Sequence, residues 1–297
     1  MTINSEINVV KGNSRGKKLK ITSFFKKLLG NWSGFIGFVI IFLLLIISIF
    51  GKQIAPYDPM YTDFAKKLLP PLTEGHLLGT DQLGRDVLSR IIVGARVSVI
   101  IGLITVLVAG TFGTIIGIIS GYFRGWIDVV LMRIVDVQLS FPFILLVLVV
   151  SAITGTGLRN IIISLAIGGW VIFARVIRSE VLAIREKEFI TACVATGVKR
   201  SHILFKHILP NLVTPIIILG SLQIATYIIA EASISFLGFG VQPPTPAWGN
   251  MLSEGKDYIF SSWWLITFPG IAILITALGV NLFGDWLRDT LDPEFVE

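Results

Sequence analysis

Few residues in this chain of 297 are of the types that do chemistry. Its one cysteine, Cys193, permits no intramolecular disulfide and no multi-cysteine metal site. Its three histidines, His76, His202 and His207, are too few and too scattered to suggest a metal centre. The stretch Gly12-Asn13-Ser14-Arg15-Gly16-Lys17-Lys18 superficially resembles a phosphate-binding loop. It has three residues between its glycines where that loop has four, and Lys18 where Ser or Thr holds magnesium. It reads as a solvated basic tail. No Ser/His/Asp arrangement and no H-E-x-x-H pattern is visible. The sequence therefore predicts a non-catalytic chain that holds no metal and no cofactor.

Charges inside apolar runs are the next place where function is sought, because they are costly there. Arg133 and Asp136 stand three apart, so they share a helix face and can pair. A structural ion pair between helices is the favoured reading, with a substrate contact as its rival. Glu231 lies near the outer end of a later run, where it faces an aqueous vestibule or reaches interfacial water; the residues do not choose between these. All three are expected to point into the protein and away from lipid.

The polar stretch ending at Pro210 says most. Glu188-Phe189-Ile190-Thr191-Ala192-Cys193-Val194-Ala195-Thr196-Gly197 predicts a short helix with small side chains at Ala192, Cys193 and Ala195, stopped by Gly197. Ser201 is expected to cap a second short helix, which closes before Pro210. Small side chains let another protein approach the backbone. On the residues alone, a contact with a partner and an interfacial helix lying on lipid are equally open.

These residues sit between runs long enough to cross a bilayer. The composition is 54% hydrophobic and 15% charged, well below the quarter charged of a soluble domain. Six membrane helices are predicted, at 34–50, 97–120, 129–153, 161–177, 212–236 and 264–283, each near the roughly 20 residues a crossing needs. The net charge of +6 does not indicate nucleic acid, because the basic residues cluster beside apolar runs. A cleaved signal peptide is disfavoured, since the basic region is long and no small-residue cleavage pattern follows Phe50. Lys11, Arg15, Lys17, Lys18, Lys20, Lys26 and Lys27 precede the first run, and seven Lys or Arg lie between Arg175 and Lys206. The positive-inside rule then places both termini and 178–210 in the cytoplasm, and 51–95 and 237–262 outside. The expected divisions are a basic tail at 1–33, a first membrane helix at 34–50, an extracytoplasmic segment at 51–95, a membrane domain at 96–285 and a cytoplasmic tail at 286–297. The second helix contains Gly113 and Gly117, with Gly121 just past its end; their spacing of four predicts one face closely approached by another helix, with ordinary glycine enrichment of membrane helices as the rival reading.

At 191–210 the chain resembles the permease subunits of ABC importers. Their cytoplasmic motif reads E-A-A, three residues, G, nine residues, I-x-L-P. Here Thr191-Ala192-Cys193, Gly197 and His207-Ile208-Leu209-Pro210 occupy it. Ala192, Gly197, Leu209 and Pro210 match, while Thr191, Cys193 and His207 depart. Without the motif's glutamate, a salt-bridge role there is weakened and a helix-in-groove role stays intact. Gly79 to Arg90 with Gly94-Ala95-Arg96, Phe236 to Gly249, Phe268-Pro269-Gly270 and Gly284 to Pro293 resemble the same family, so the likeness covers roughly 31–293. It is greatest to the C-type permease of the dipeptide, oligopeptide and nickel importer group. The resemblance implies an all-α type I permease fold, a five-helix core with one added N-terminal helix, in a prokaryotic cell membrane. It implies a homologous B-type permease as partner, two cytoplasmic ATPase subunits that carry the ATP and magnesium, and an extracytoplasmic solute-binding protein. The segment 186–210, with Glu188, Thr191, Ala192, Cys193, Gly197, His207, Leu209 and Pro210, is implied as the ATPase-coupling element. Nickel or a metal chelate is the alternative cargo, and a secondary transporter or channel subunit the remote alternative.

Overall fold

The computed structural model describes residues 26–73 and 75–291. Gly12–Lys18 and most of the basic tail expected at 1–33 lie outside the described residues, as does 292–297. Every regular element among the described residues is helical. In chain order the α-helices are α1 (Trp32–Ile54), α2 (Val87–Phe123), α3 (Gly125–Leu139), α4 (Phe143–Thr154) and α5 (Leu158–Arg185). They continue with α6 (Glu188–Ala195), α7 (Arg200–Ile203), α8 (Leu209–Phe236), α9 (Trp248–Gly255) and α10 (Trp264–Leu291).

Among the described residues, five segments are long and apolar enough to cross a membrane: α1, α2, α5, the continuous stretch Arg200–Phe236, and α10. The expected third span at 129–153 is not one helix. It is the pair α3 and α4, bent by 90° at the break. Pro142 accounts for this: it has no N–H to give, and it disfavours helical geometry at Phe141. Counting the bent pair as one span makes six.

Two boundaries differ from the hydropathy reading. α2 begins at Val87, inside the connection expected at 51–95, because Asp86 caps it by accepting from the Ser89 N–H at 2.8 Å. α10 continues to Leu291, past the tail boundary expected at 286. The glycine face of α2 packs on α5. A Cβ added at Gly113 would stand 2.3 Å from the Trp170 carbonyl oxygen, and one at Gly117 2.7 Å from that of Ala174. Only glycine lets the two backbones come this close. α8 packs against α2 and α10, and α10 against α1.

Candidate functional site

α6 is held by one face and open on the other. Ile190 is 1% exposed. It packs with Tyr122 of α2, Ile177, Val181 and Ile184 of α5, Ile203 of α7, and Ile208 and Leu212 around the start of α8. Glu188, Phe189, Thr191, Ala192, Val194 and Ala195 are exposed. Glu188 sits in the first turn, where a carboxylate complements the helix dipole. The helix ends in a Schellman motif: Gly197 N–H donates to the Val194 carbonyl at 3.1 Å, and Val198 N–H to that of Cys193 at 3.0 Å. Gly197 has φ +74 and open space where a Cβ would be, as its expected place at a helix end requires.

The two ends of the segment fold onto each other. Cys193 Sγ lies 3.9 Å from His207 Nε2, and the Phe189 ring stands 6.2 Å from the His207 ring. Thr191 is exposed beside them, and Leu209 and Pro210 lie in the first turn of α8. Two local expectations are corrected. Ser201 does not cap the second short helix; the N-cap is Lys199, with no side-chain bond. Nor does that helix close before Pro210. A π-turn over Leu204–Ile208 joins α7 to α8, and Leu209 N–H donates to the Leu204 carbonyl. Widening the helix there relieves the clash a proline ring makes with the carbonyl four residues back.

The charged residues within the spans are arranged differently from expectation. Asp136 pairs with Arg175 of α5, not with Arg133 three residues before it. The pair is not turned into the protein: the side chains of Asp136 and Arg175 are 52% and 55% exposed, and Arg133 is exposed as well. A second bridge between the same helices is more enclosed, with Arg178 Nη2 donating to Asp128 Oδ2 at 2.6 Å. Glu231 reaches neither vestibule nor interfacial water. It is wholly buried, and Ser235 Oγ donates to its Oε1 at 2.7 Å.

At the far end of α2, about 48 Å from Tyr122 at ~1.5 Å per residue, lies a buried ionic network. Arg85 donates from Nε to Asp81 Oδ2 at 2.6 Å and from Nη2 to Glu254 Oε2 at 2.7 Å. Arg90 Nη1 bridges the same two carboxylates, at 2.8 Å to Glu254 Oε2. Two positive and two negative charges thus cancel. Burial pushes the Glu254 carboxyl up, but the hydrogen bond and charge of Arg90 and the charge of Arg85 outweigh this and leave it below its usual value. Next to it, His76 Nδ1 lies 2.9 Å from Asp86 Oδ1, beneath the Tyr57 ring. The network fastens α9 to the start of α2. Among the described residues, no three His, Cys, Asp or Glu side chains group to hold a metal ion.

Comparison with known proteins agrees with this architecture. Residues 113–297 match the family described as "Binding-protein-dependent transport system inner membrane component". Residues 21–71 match the N-terminal transmembrane domain of oligopeptide transport permease C. The chain belongs to the binding-protein-dependent transport permeases. A similar relative is the dipeptide transport system permease protein DppC of Alkalihalophilus pseudofirmus, 43% identical over 91% of this permease and 88% of the relative. The probable D,D-dipeptide transport system permease protein DdpC of Escherichia coli is 40% identical over 86% of each chain. The glutathione transport system permease protein GsiD of Pectobacterium atrosepticum is 39% identical over 91% and 90%. This permease is a multi-pass membrane protein with the type I ABC permease fold, as the resemblance implied.

Sequence reasoning about the permease missed Glu254, Arg175 and the fastening role of Asp81, Arg85 and Arg90. The four-residue spacing of Asp81 and Arg85 is a local signal for a pair. Glu254 joins from 164 residues beyond Arg90, and no local pattern announces a partner at that distance.

Proposed function

We propose that this permease forms half of the translocation path of an ATP-driven importer of di- and oligopeptides, and that α6 and α7 couple it to the ATPase. The single observation that supports the coupling role is the two-sidedness of α6. Its outer face, with Phe189, Ala192 and Val194, is exposed, while Ile190 is clasped by α2, α5 and α8. A partner seated on that outer face would push on three spans at once. In this reading the partners are a homologous B-type permease, two cytoplasmic ATPase subunits that bring the ATP and magnesium, and an extracytoplasmic solute-binding protein. Thr191, Ala192, Cys193, Gly197 and His207 belong to the docking surface, with Leu209 and Pro210 behind it. Both termini are cytoplasmic, as the basic residues between Arg175 and Lys206 favour. The relatives' names, for dipeptide, D,D-dipeptide and glutathione transport, favour peptides over nickel.

The test is reconstitution. This chain alone in liposomes should give no peptide uptake and no ATP hydrolysis. With the second permease, both ATPase subunits and peptide-loaded binding protein, both should appear. Uptake by the lone chain would replace this reading with a secondary carrier or channel.

A further inference from the structure

Between α1 and α2 runs a groove with two kinds of lining. One part is a cavity of about 160 Å³ walled by Ile41, Leu45, Val99 and Leu103, with α8 and α10 as its floor. Its walls are apolar, and it opens to the side, since Leu45 is 38% and Leu103 41% exposed. The other part is a smaller cavity between the same two helices, lined by Ser48, Lys52, Gln53 and Arg96. Helix geometry sets the two end to end. Ile41, Leu45, Ser48 and Lys52 follow at spacings of four, three and four on α1, and Arg96, Val99 and Leu103 at three and four on α2, so each set shares a face. At the polar end the helices meet closely, because Gly51 of α1 brings its backbone to the Ile92 carbonyl; a Cβ added there would stand 3.1 Å from that oxygen. Beyond it larger side chains face each other and the helices part.

The polar end holds an unbalanced charge. Lys52 and Arg96 are exposed, and among the described residues neither is in an ion pair. Two positive charges on one pocket of about 70 Å³ repel each other. An anion between them would remove that repulsion. Lys52 stands in the last turn of α1, two residues past the end of its apolar run at Phe50, so this pocket lies where the span leaves the hydrocarbon. From Lys52 back to Ile41 is eleven residues, about 16 Å at ~1.5 Å per residue. One leaflet's share of a hydrocarbon layer about 30 Å thick is about 15 Å. The groove therefore matches one leaflet in depth and in order of polarity.

We propose that this groove binds one anionic phospholipid, with its phosphate between Lys52 and Arg96 and an acyl chain along Leu45, Val99 and Leu103. The Arg96 guanidinium offers a phosphate two parallel donors, and Ser48 and Gln53 add neutral ones. A free phosphate would leave the apolar part of the groove unused. A zwitterionic head group would bring a third cation to the two already there. The bound lipid touches α1, α2, α8 and α10 at once, so it fastens the N-terminal helix to the rest of the permease.

The test uses the permease in its complete importer, in phosphatidylcholine proteoliposomes. Each preparation carries a trace of either phosphatidylglycerol or phosphatidylcholine with a photoactivatable diazirine on one acyl chain. Adducts are mapped to residues by mass spectrometry. Two cations near the membrane surface should favour phosphatidylglycerol roughly 30-fold at Leu45 and Leu103. Phe42, exposed on α1 and lining neither cavity, should show no such preference. Lys52→Gln and Arg96→Gln should each reduce the preference about five-fold, and together abolish it; both side chains are exposed and unpaired, so neither change threatens the fold. Lys52→Arg should keep it. Leu45→Trp, which fills the groove and leaves both cations, should lower the adducts at Leu103 with either lipid. Unlabelled phosphatidylglycerol should compete, and inorganic phosphate should not. Equal yields from the two lipids at Leu45 and Leu103, a preference that survives loss of both cations, or competition by inorganic phosphate overturns the proposal. So does an absence of adducts at both leucines in the complete importer, which would mean that another subunit covers the groove.

Discussion

Gly197→Asp separates damage within the chain from damage at a docking surface. Gly197 has φ +74, and a Cβ built on it meets nothing within 4 Å. Any other residue there incurs the left-handed backbone cost, about 1–2 kcal/mol, with aspartate at the lower end. Alanine and aspartate should therefore lower the stability of the permease alone by a similar amount, about 1 kcal/mol, or a few degrees in Tm at this chain length. No internal clash adds to either. If an ATPase subunit seats against the end of α6, the aspartate intrudes on a packed contact, at a cost of about 1–3 kcal/mol. That corresponds to a loss of ATPase affinity of roughly 5- to 150-fold. The assay compares Gly197→Ala with Gly197→Asp at matched abundance in the membrane. It measures ATPase co-purification and hydrolysis stimulated by loaded binding protein. Aspartate should fall far below alanine in one or both. If the two variants match the parent, Gly197 only ends a helix and α6 is not the coupling element.

Three further outcomes follow from the structure. Gly113→Ala should lower the Tm in detergent much more than Gly110→Ala, because its Cβ would meet the Trp170 carbonyl oxygen at 2.3 Å whereas that of Gly110 meets the edge of the Phe173 ring at 3.2 Å; equal shifts would refute the close α2–α5 approach. The carboxyl of Glu254 is held below the ordinary glutamate value by Arg90 and Arg85, so its contribution is present above that ordinary value and is lost as pH falls through the lower folded one. Glu254→Gln should then cost roughly 1–3 kcal/mol at neutral pH and flatten the acid limb of the stability profile; an unchanged profile would count against the network. For orientation, Thr73→Cys in intact cells should react with a membrane-impermeant thiol reagent, and native Cys193 should react only after the membrane is opened; labelling of Cys193 from outside would invert the topology.

The spans were legible because hydropathy is local. So were the glycine face of α2 and the end of α6, where a few residues within one or two turns carry the signal. What was not legible depends on distant partners or on backbone adjustment. Hydropathy starts this helix at Val97, ten residues after its actual start at Val87, because Arg90 and Arg96 interrupt the apolar run. In the fold Arg90 is buried against Asp81 and Glu254, so its charge does not mark a surface. By spacing, Arg133 is the natural partner of Asp136. Helix α5 brings Arg175 to Asp136 from 39 residues away, and only tertiary packing decides between the two arginines. Pro210 predicts a stop, because a proline usually is one. A π-turn over the five residues before Leu209 carries the helix through it, and nothing in the types of those residues announces that turn.

That π-turn bears on how a push on α6 would travel. Ile203 and Ile208 lie at its two ends, and both are buried in the cluster that holds Ile190. Burying an isoleucine is worth about 1.5–3 kcal/mol, so these three side chains together bind α6 and α7 to the spans by several kcal/mol. Among the described residues, the outer face of α6 has no comparable hold. A displacement of α6 should accordingly carry Ile190, the π-turn and the start of α8 with it as one body. The same cluster includes Ile177, Val181 and Ile184, on the half of α5 that carries Arg175 and Arg178. Arg178 in turn is fixed to Asp128 at the start of α3. In the coupling reading, motion at α6 thus reaches α5 through apolar contact and α3 through an ion pair, and the Asp136–Arg175 pair also joins those two helices. The exposure of that pair should change with the nucleotide state of the ATPase, and thiol-reagent labelling rates of a Ser140→Cys variant in the assembled importer, with and without ATP, would show it.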